Sequence, residues 1–576
     1  MSTPGPAPFT LASRRLGALP LVTHFARRIG LPGLLDRWVP PDDARLALDP
    51  ATVLSVVVAN LCTGHRPLYA LGEWAAAYEP ALLGLAGGQA DLLNDDRAGR
   101  MLDRLFLADR GSLLTELVTG MIGEFGIDCS RLHNDSTSIS VHGAYKAADG
   151  EDVAGVPTPA ITLGHSKDHR PDLKQLVYIL TVSGDHAVPV IYRLADGNTA
   201  DDPTHIPTWD QLVKLTGSAD FLYVADCKLA CGEAMRHIDR GGGRFITVLP
   251  RSRKEDAAFR AWMQDHKPGW AEAHRAPGRI GEPDQVRAVC EAPWPSAEGY
   301  RVVWVHDSAK QQCDAATRAR RIEKAVAAIE DDLAGRLASP RSRLRTAAAV
   351  HAAAKDAIAG ADATRWIRYA VHEKTQESYR QAGPGRPGPD TAWRRIEKKT
   401  FEVTCDVDYD QVGYDAVSDG CWPLITNDKD MTGAQVLAAY RYQPNLERRH
   451  HLLKGIQDAA PVWIKTIPRI EAIFLCHFIA QLISALIERQ IRTAMQAAGI
   501  ARLATYPEFR GCAAPTADRI FEIFAHVQRH QLYDQAGALV QIFTPELTPL
   551  QLKILELLDI PATAYTRAAA LPSAAS

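Results

Sequence analysis

The sequence predicts an α/β chain: a mixed sheet flanked by helices, interrupted by an α+β insertion and preceded by an all-helical N-terminal domain. Three observations predict it. Apolar residues recur at helical spacing as far as about residue 127. From Arg131 the pattern changes to alternating segments and short apolar runs in the order β-β-β-α-β-α-β, which builds a sheet of mixed strand direction. That texture breaks after residue 250 and resumes after residue 419. A chain of 576 residues is too long for one compact domain. The segments are 1–127, helical; 128–250, the first part of the sheet core; 251–419, the insertion; 420–498, the second part of the core; and 499–576, a C-terminal helical region. Its last residues, from about Ala568, have the composition of a disordered tail.

In the first segment Leu19, Val22, Phe25, Ala26 and Ile29 mark a helix that Gly30 and Pro32 stop. A very apolar helix follows Pro50, from Val53 to about Leu61, and helical patterns cover Leu68 to Tyr78 and Arg97 to Leu107. These short helices fit two readings. One is a helix-turn-helix whose Arg27, Arg28 and Arg37 touch phosphate; the other is a packing or dimerisation module.

Strands follow at Arg131 to Val141, which carries the polar cluster Asn134-Asp135-Ser136-Thr137, at Gln175 to Val182 and at Val188 to Arg193. A helix spans Pro203 to Leu215. The wholly apolar run Phe221 to Ala225 reads as a buried parallel strand that ends on Asp226. Helix Leu229 to Ile238, three glycines and strand Arg244 to Leu249 complete this part. In the insertion, strand-like Tyr300 to Val305 and Phe401 to Val407 bracket a helical stretch. There Ile322, Val326, Ile329, Leu333 and Leu337 form a near-heptad stripe, read as the packing seam of a helical hairpin. Gly383 to Pro389 is a turn, with Gly385-Arg386-Pro387 only faintly like a minor-groove hook. The core resumes with strand Trp422 to Thr426 and helix Gly433 to Tyr442. Pro444 opens a further helix with Glu447 in its first turn and Lys454 two turns along the same face. The strongly apolar helix from Arg469 to Arg492 is expected to pack on the sheet.

Hydrophobic residues at 46% and charged residues at 23% suit a soluble globular chain, which needs no staples. The ten cysteines contain no CxxC pair, and Cys227 and Cys231 supply two zinc ligands at most, so reduced thiols and a cytoplasmic location are expected. No signal peptide pattern opens the sequence. The most apolar run, Ile473 to Ile487, is shorter than a membrane span of roughly 20 residues and reads as a buried helix, so no membrane partner is expected. A net charge of −3 neither announces nor excludes a nucleic-acid partner, because phosphate neutralisation needs only a local basic surface.

Three carboxylates stand out. Asp135 interrupts a strand where charge is unexpected. Asp226 ends an apolar strand, where open α/β sheets place ligands. Glu447 comes from a helix beyond the insertion. If the strands of Asp135 and Asp226 are neighbours, the two side chains converge, and the helix brings Glu447 over them. Such a group needs a cation to offset its repulsion. Hard oxygen ligands suit Mg²⁺ or Mn²⁺, and two such ions serve in-line phosphoryl transfer. Taken singly, each carboxylate fits a cap or a solvated charge better than a metal ligand.

The segments Leu132 to Ser140 (LHNDSTSIS), Gly164 to Gln175 (GHSKDHRPDLKQ), Val224 to Ala230 (VADCKLA) and Asp419 to Lys454 resemble bacterial insertion-sequence transposases of the DDE type. Their catalytic core is ribonuclease H-like and carries an insertion, and the branch resembled is the IS-four-like superfamily with a Tyr, Arg, Glu, Lys signature. The resemblance extends from the N-terminal helices to about residue 490. It implies that Asp135, Asp226 and Glu447 are the catalytic, metal-binding triad, with two Mg²⁺ or Mn²⁺ ions per site. Tyr440, Glu447 and Lys454 fall on the signature's steps; Gln443 stands at the Arg step, with Arg441 two residues earlier. The DNA-binding set so implied is Tyr440, Arg441 and Lys454, to which the loop cations Lys167, Arg170 and Lys174 are added as phosphate contacts. His165 and His169 are a conceivable metal pair, and His450 and His451 could touch DNA.

The activity implied is metal-dependent cleavage at element ends, then strand transfer into target DNA. Its partners are double-stranded DNA, both terminal inverted repeats and target, and a second copy of the chain in a homodimeric synaptic complex. The N-terminal helices would bind the DNA ends. Two other readings stay open: a metal-dependent nuclease without strand transfer, and a non-catalytic DNA-binding protein derived from a transposase.

Overall fold

The computed structural model describes residues 9–41, 46–278, 281–457, 459, 462 and 464–567; the tail expected from Ala568 lies outside the described residues. The chain divides into two compact units, Met1–Thr247 with Ala439–Ser576, and Val248–Ala438. Both are of mixed α/β character.

The first unit opens on strand β1 (Phe9–Arg15), followed by helices α1 (Leu19–Arg28), α2 (Leu31–Trp38), α3 (Pro50–Thr63), α4 (Leu71–Ala76), α5 (Asp95–Leu107) and α6 (Arg110–Phe125). Gly30 ends α1 in the left-handed conformation, φ +69°, and Pro32 starts α2 in the first turn, where a missing N–H costs nothing. Asp49, Asn94 and Asp109 cap α3, α5 and α6 by accepting backbone N–H bonds. Arg28 and Arg37 pair with Glu124 and Glu116 of α6, and Arg28 also lies 4.1 Å over the Phe125 ring. These arginines join α1 and α2 to α6.

Strands β2 (Arg131–Val141), β3 (Lys174–Ser183) and β4 (Pro189–Ala195) follow. Then come α7 (His205–Thr216), β5 (Leu222–Val224), α8 (Gly232–Arg240) and β6 (Arg244–Val248). Their order across the sheet is β4-β3-β2-β5-β6. The first three are antiparallel to one another, and β2, β5 and β6 are parallel. β2 is buried along nearly its whole length, which requires cover on both faces.

The second unit contains α9 (Lys254–Asp265), β7 (Ala271–Ala276), β8 (Gln285–Glu291), β9 (Arg301–Asp307), α10 (Ser308–Ala327), a π-helical turn Ala328–Leu333, α11 (Ala334–Ala338) and α12 (Ala347–Gly360). Next are β10 (Ile367–Gln381), β11 (Trp393–Val407), α13 (Tyr409–Ala416) and β12 (Cys421–Thr426). Strands β12-β9-β8-β7 lie side by side and antiparallel. The near-heptad stripe is a packing seam: Ile329 and Leu333 bury against Ala354 and Ile358 of α12, with Ile322, Val326 and Leu337 at the margin. Gly383 to Pro389 lies in the turn of the β10–β11 hairpin, whose strands pair over 15 positions.

After α14 (Gly433–Tyr440) the first unit resumes with α15 (Gln443–Gly455) and α16 (Ile467–Ala497). It ends with α17 (Ala517–Phe524), β13 (Gln528–Asp534), β14 (Leu539–Phe543), α18 (Pro549–Leu557) and α19 (Thr563–Thr566). Three expectations need correction; the stretch between Val305 and Phe401, read as helical, also holds strand β10 and the distal half of β11. The N-terminal part is not all-helical and the C-terminal part is not simply helical, because β1 pairs antiparallel with β13, which pairs with β14. β1 is mostly exposed and lacks an apolar period, so only its distant partner makes it a strand. The apolar helix is also longer than its apolar run. α16 has 31 residues, and by length and mean hydropathy it suffices to cross a membrane, yet 94% of its most apolar window is buried inside the protein. It packs among α1, α3, α5, α17, α18 and β4.

Candidate active site

Strand register brings the first two carboxylates together. Leu132 pairs with Tyr223 and His133 with Val224 across the parallel β2–β5 ladder. Continued two residues, the same register sets Asp226 opposite Asp135. Adjacent strands lie about 4.8 Å apart. Asp226 sits just past β5, where it caps the turn Cys227–Leu229 by accepting the Lys228 N–H at 3.0 Å, and its carbonyl accepts the Thr247 hydroxyl.

The pair carries an electrostatic penalty. The Asp135 carboxyl is held up to about 7, by burial first and by Asp226 and Asp201 in addition, against the opposing Lys167 ammonium and Ser136 N–H. Asp226 is raised as well, by burial first and by Asp201 in addition, against the Lys228 N–H and the ammonium groups of Lys167 and Lys228. Asp201 is a third acidic group that sequence reading missed. It stands before the α7 helical segment, accepts the Ser136 hydroxyl, and lies 3.3 Å from the Lys167 ammonium. Its only signal was the acidic pair Asp201-Asp202 ahead of Pro203.

Lys167 is the cation of this cluster. Its ammonium donates to the Ser136 carbonyl and hydroxyl, each at 2.8 Å, and lies 3.9 Å from Asp135. The loop that carries it is pinned to the start of β3. Gln175 donates to the carbonyls of Gly197 and His165, and its N–H donates to Thr162. Gly164 and Gly197 permit the close approach: a Cβ on Gly164 would stand 1.9 Å from the Gly197 carbonyl oxygen.

Helix α15 lies over β2 and turns Gln443, Leu446, Arg449, His450 and Leu453 inward. Gln443, at the signature's Arg step, joins helix to strand. Its Nε2 donates to the Asn134 carbonyl at 3.0 Å, and its Oε1 accepts from His133 Nδ1 at 3.0 Å. Burial holds His133 down to about 4 and His450 down to about 3, so both rings are neutral at pH 7. His450 Nε2 lies 4.0 Å from Asp135 Oδ2. Arg449 anchors the helix by donating to the carbonyls of His186 and Ala187 and pairing with Glu488 of α16 at 3.0 Å.

The remaining expected residues divide. Tyr440 is half-buried, and its hydroxyl is pushed up by burial and then by Asp226, Cys227, Asp135 and Glu447, so it lies within the field of all three carboxylates. Glu447 itself is exposed and falls on the fifth residue of α15, past the first turn where it was expected. It stands at the rim of the helix face that covers the sheet. Among the described residues no three His, Cys, Asp or Glu side chains form a metal-binding group. The three carboxylates are therefore not drawn into one cage, and neither His165 with His169 nor Cys227 with Cys231 belongs to one. All ten cysteines are unbridged thiols, and Cys231 caps α8.

The expected phosphate ligands hold internal partners. Lys454 pairs with Asp168 at 2.6 Å, Arg170 with Asp172 at 2.7 Å, and Lys174 donates to the Ala144 carbonyl at 2.6 Å. Arg441 is exposed on the short link into α15.

A family model described as a domain of unknown function, DUF4277, matches residues 11–119, a stretch that begins within β1 and ends within α6, before the carboxylates. No curated protein matches the chain. Among solved structures, the chain is similar to a piggyBac transposase in a synaptic complex with hairpin DNA, seen by cryo-electron microscopy. The identity is 6% and the TM-score 0.36, with 83% of this chain and 77% of that one covered. A likeness of that size leaves the fold and activity of this chain to be argued from its own residues.

Proposed function

We propose that the chain is a DDE-type transposase, acting through a ribonuclease H-like core on double-stranded DNA. One observation carries the reading: the register of the parallel strands β2 and β5, continued two residues past the end of β5, sets Asp226 opposite Asp135, and both are held above the ordinary carboxylate range. The sheet order, the position of each carboxylate along the chain and the sequence segments around them support the same reading.

Two partly buried carboxylates fit Mg²⁺ or Mn²⁺, which take one or two protein carboxylates and complete their shell with water and substrate phosphate. Asp135 and Asp226 would hold such an ion, and Glu447 on α15 would add the third carboxylate. When bound, two ions would activate the attacking oxygen and stabilise the leaving oxygen of phosphoryl transfer.

The chain's own groups do the rest. Lys167 offsets the charge of Asp135 and Asp201 until a metal or a phosphate takes its place. Tyr440 keeps its proton and can donate it in a hydrogen bond to a phosphate oxygen. Lys454 exchanges Asp168 for a DNA phosphate, a swap between two anions on a half-buried side chain. Gln443 replaces an arginine's charge with two hydrogen bonds that fix α15 against β2.

The test uses the DNA that flanks the coding region as substrate, with Mg²⁺ and a target plasmid. Cleaved ends joined to target are expected, and Asp135→Ala or Asp226→Ala should abolish both products. Nicking without joining identifies a nuclease. Unchanged cleavage by both variants means that the site is wrong.

A further inference from the structure

The β10–β11 hairpin does not behave like the rest of its unit. Its base is anchored: Ile367 is buried, and Tyr369, Val403, Cys405 and Val407 pack on the cluster formed by the π-helical turn and α12. Beyond that base, residues 372–380 and 392–399 are exposed on both faces. Fifteen residues at about 3.4 Å each make a ribbon roughly 50 Å long. An isolated two-stranded ribbon is marginal in water, so its free part gains from a partner.

The pairing register sorts the charges by face. On the face that carries the anchoring side chains, each cation beyond the base is neutralised: Arg395 pairs with Glu377 and Glu397, and Lys399 with Glu373 at 2.5 Å. Beyond the base, the other face carries Lys374, Arg380, Arg394 and Lys398 against Glu402 alone; at the base Arg368 stands opposite Asp406. Lys374 pairs with Glu402. Arg380, Arg394 and Lys398, with Arg386 in the turn, make no ion pair or side-chain hydrogen bond among the described residues. Arg380 stands directly opposite Arg394 in the ladder. Like charges so placed, with Cβ atoms about 5 Å apart, oppose strand pairing unless an anion lies between or above them.

We infer that this face of the β10–β11 ribbon, through Arg380, Arg394 and Lys398, is an arm that lies along the phosphates of duplex DNA. A two-stranded ribbon fits the major groove, which is about 12 Å wide. Lys398 follows Arg394 by four residues, about 13 Å along the strand, so the two cations can meet separate phosphates beside the groove. The turn residue Arg386, between Gly385 and Pro387, stands at the end of the arm. The choice of DNA over another polyanion rests on the proposed function; the charge asymmetry does not.

The experiment measures binding of the full chain to a short random-sequence duplex by fluorescence anisotropy across a salt series. Each phosphate contact contributes about 0.9 to the slope of log K against log salt. R380A/R394A should make that slope shallower by about 2 and weaken binding uniformly across sequences. R395A/K399A removes the same charge from the opposite face and should leave the slope unchanged. R380K/R394K should restore it. Thermal melts of all variants establish that each is folded, since every altered side chain is exposed. Equal losses from both double-alanine variants, or none from either, overturn the inference. So does binding to polyglutamate that shows the same dependence on Arg380 and Arg394. If metal-dependent cleavage is absent while the difference in slope stands, the proposed function fails and the arm remains.

Discussion

Replacing Asp135 by asparagine should stabilise the protein while it abolishes cleavage. Asp135 faces Lys167 from its loop, Asp226 beyond β5, Asp201 ahead of α7, and Tyr440 and His450 from the helices above. Its carboxyl is held up to about 7 from an ordinary 3.8. The folded chain therefore keeps a proton that the unfolded chain gives up near pH 4. Between about pH 4 and pH 7 the unfolded state binds fewer protons, and stability falls as the pH rises; above 7 the whole penalty is present. Each pH unit is worth about 1.4 kcal/mol, so the penalty is at most ~4 kcal/mol. The side chain keeps 21% of its exposure, which argues for roughly half that ceiling. The carboxamide of Asp135→Asn removes the charge and keeps the shape. In a chelated sample, differential scanning fluorimetry should show the variant melting a few degrees above wild type at pH 8, with the gap closing toward pH 5. Added Mg²⁺ should raise the wild-type melting temperature and not the variant's. A variant that is no more stable at pH 8, or that responds equally to Mg²⁺, would refute the argument from paired carboxylates.

Three further outcomes follow from neighbouring contacts. Gln443→Ala leaves His133 and the Asn134 carbonyl unpaired in a buried place and should cost about 1–3 kcal/mol in urea unfolding. Gln443→Arg, which restores the signature residue, should also destabilise, since it buries a charge between a neutral histidine and a strand; a gain in stability would show that the site accommodates arginine. Glu488→Gln strands Arg449, whose side chain is only 4% exposed, and should cost about 3–5 kcal/mol by the same assay. Lys454→Ala should change stability by less than about 1 kcal/mol, because its pair with Asp168 is partly solvated, yet reduce cleavage at least tenfold in single-turnover assays. Unaltered cleavage would assign Lys454 to loop anchoring alone.

What the sequence disclosed follows from where each element draws its stability. β2 was read with its observed bounds from its alternation around a polar cluster, and β3 and β4 within a few residues from their dense apolar side chains. β1, β10 and the distal half of β11 were missed, as were β7, β8, β13 and β14; Ile367–Gln381 fell inside the stretch read as helical. Phe9–Arg15 and Trp393–Thr400 have no apolar period, and cross-strand partners alone hold them extended. The convergence of Asp135 and Asp226 was legible because both sit at recognisable strand positions. Asp201 was not, since its role comes from a hydroxyl and an ammonium supplied by β2 and a distant loop. Gln443 looked like a lost arginine; only the packing of α15 on β2 reveals the two bonds it makes instead.

The pairing of β1 with β13 has a consequence in time as well as in space. Ser13 meets His530, 517 positions later in the chain, and no nearer strand takes that edge of β13 among the described residues. At about 5–20 residues per second a ribosome needs on the order of a minute to deliver the partner. Throughout that interval the segment Phe9–Arg15, whose Phe9 and Leu11 stay largely exposed even afterwards, lacks the partner that makes it a strand. A message truncated anywhere before residue 528 yields a product that never closes this sheet.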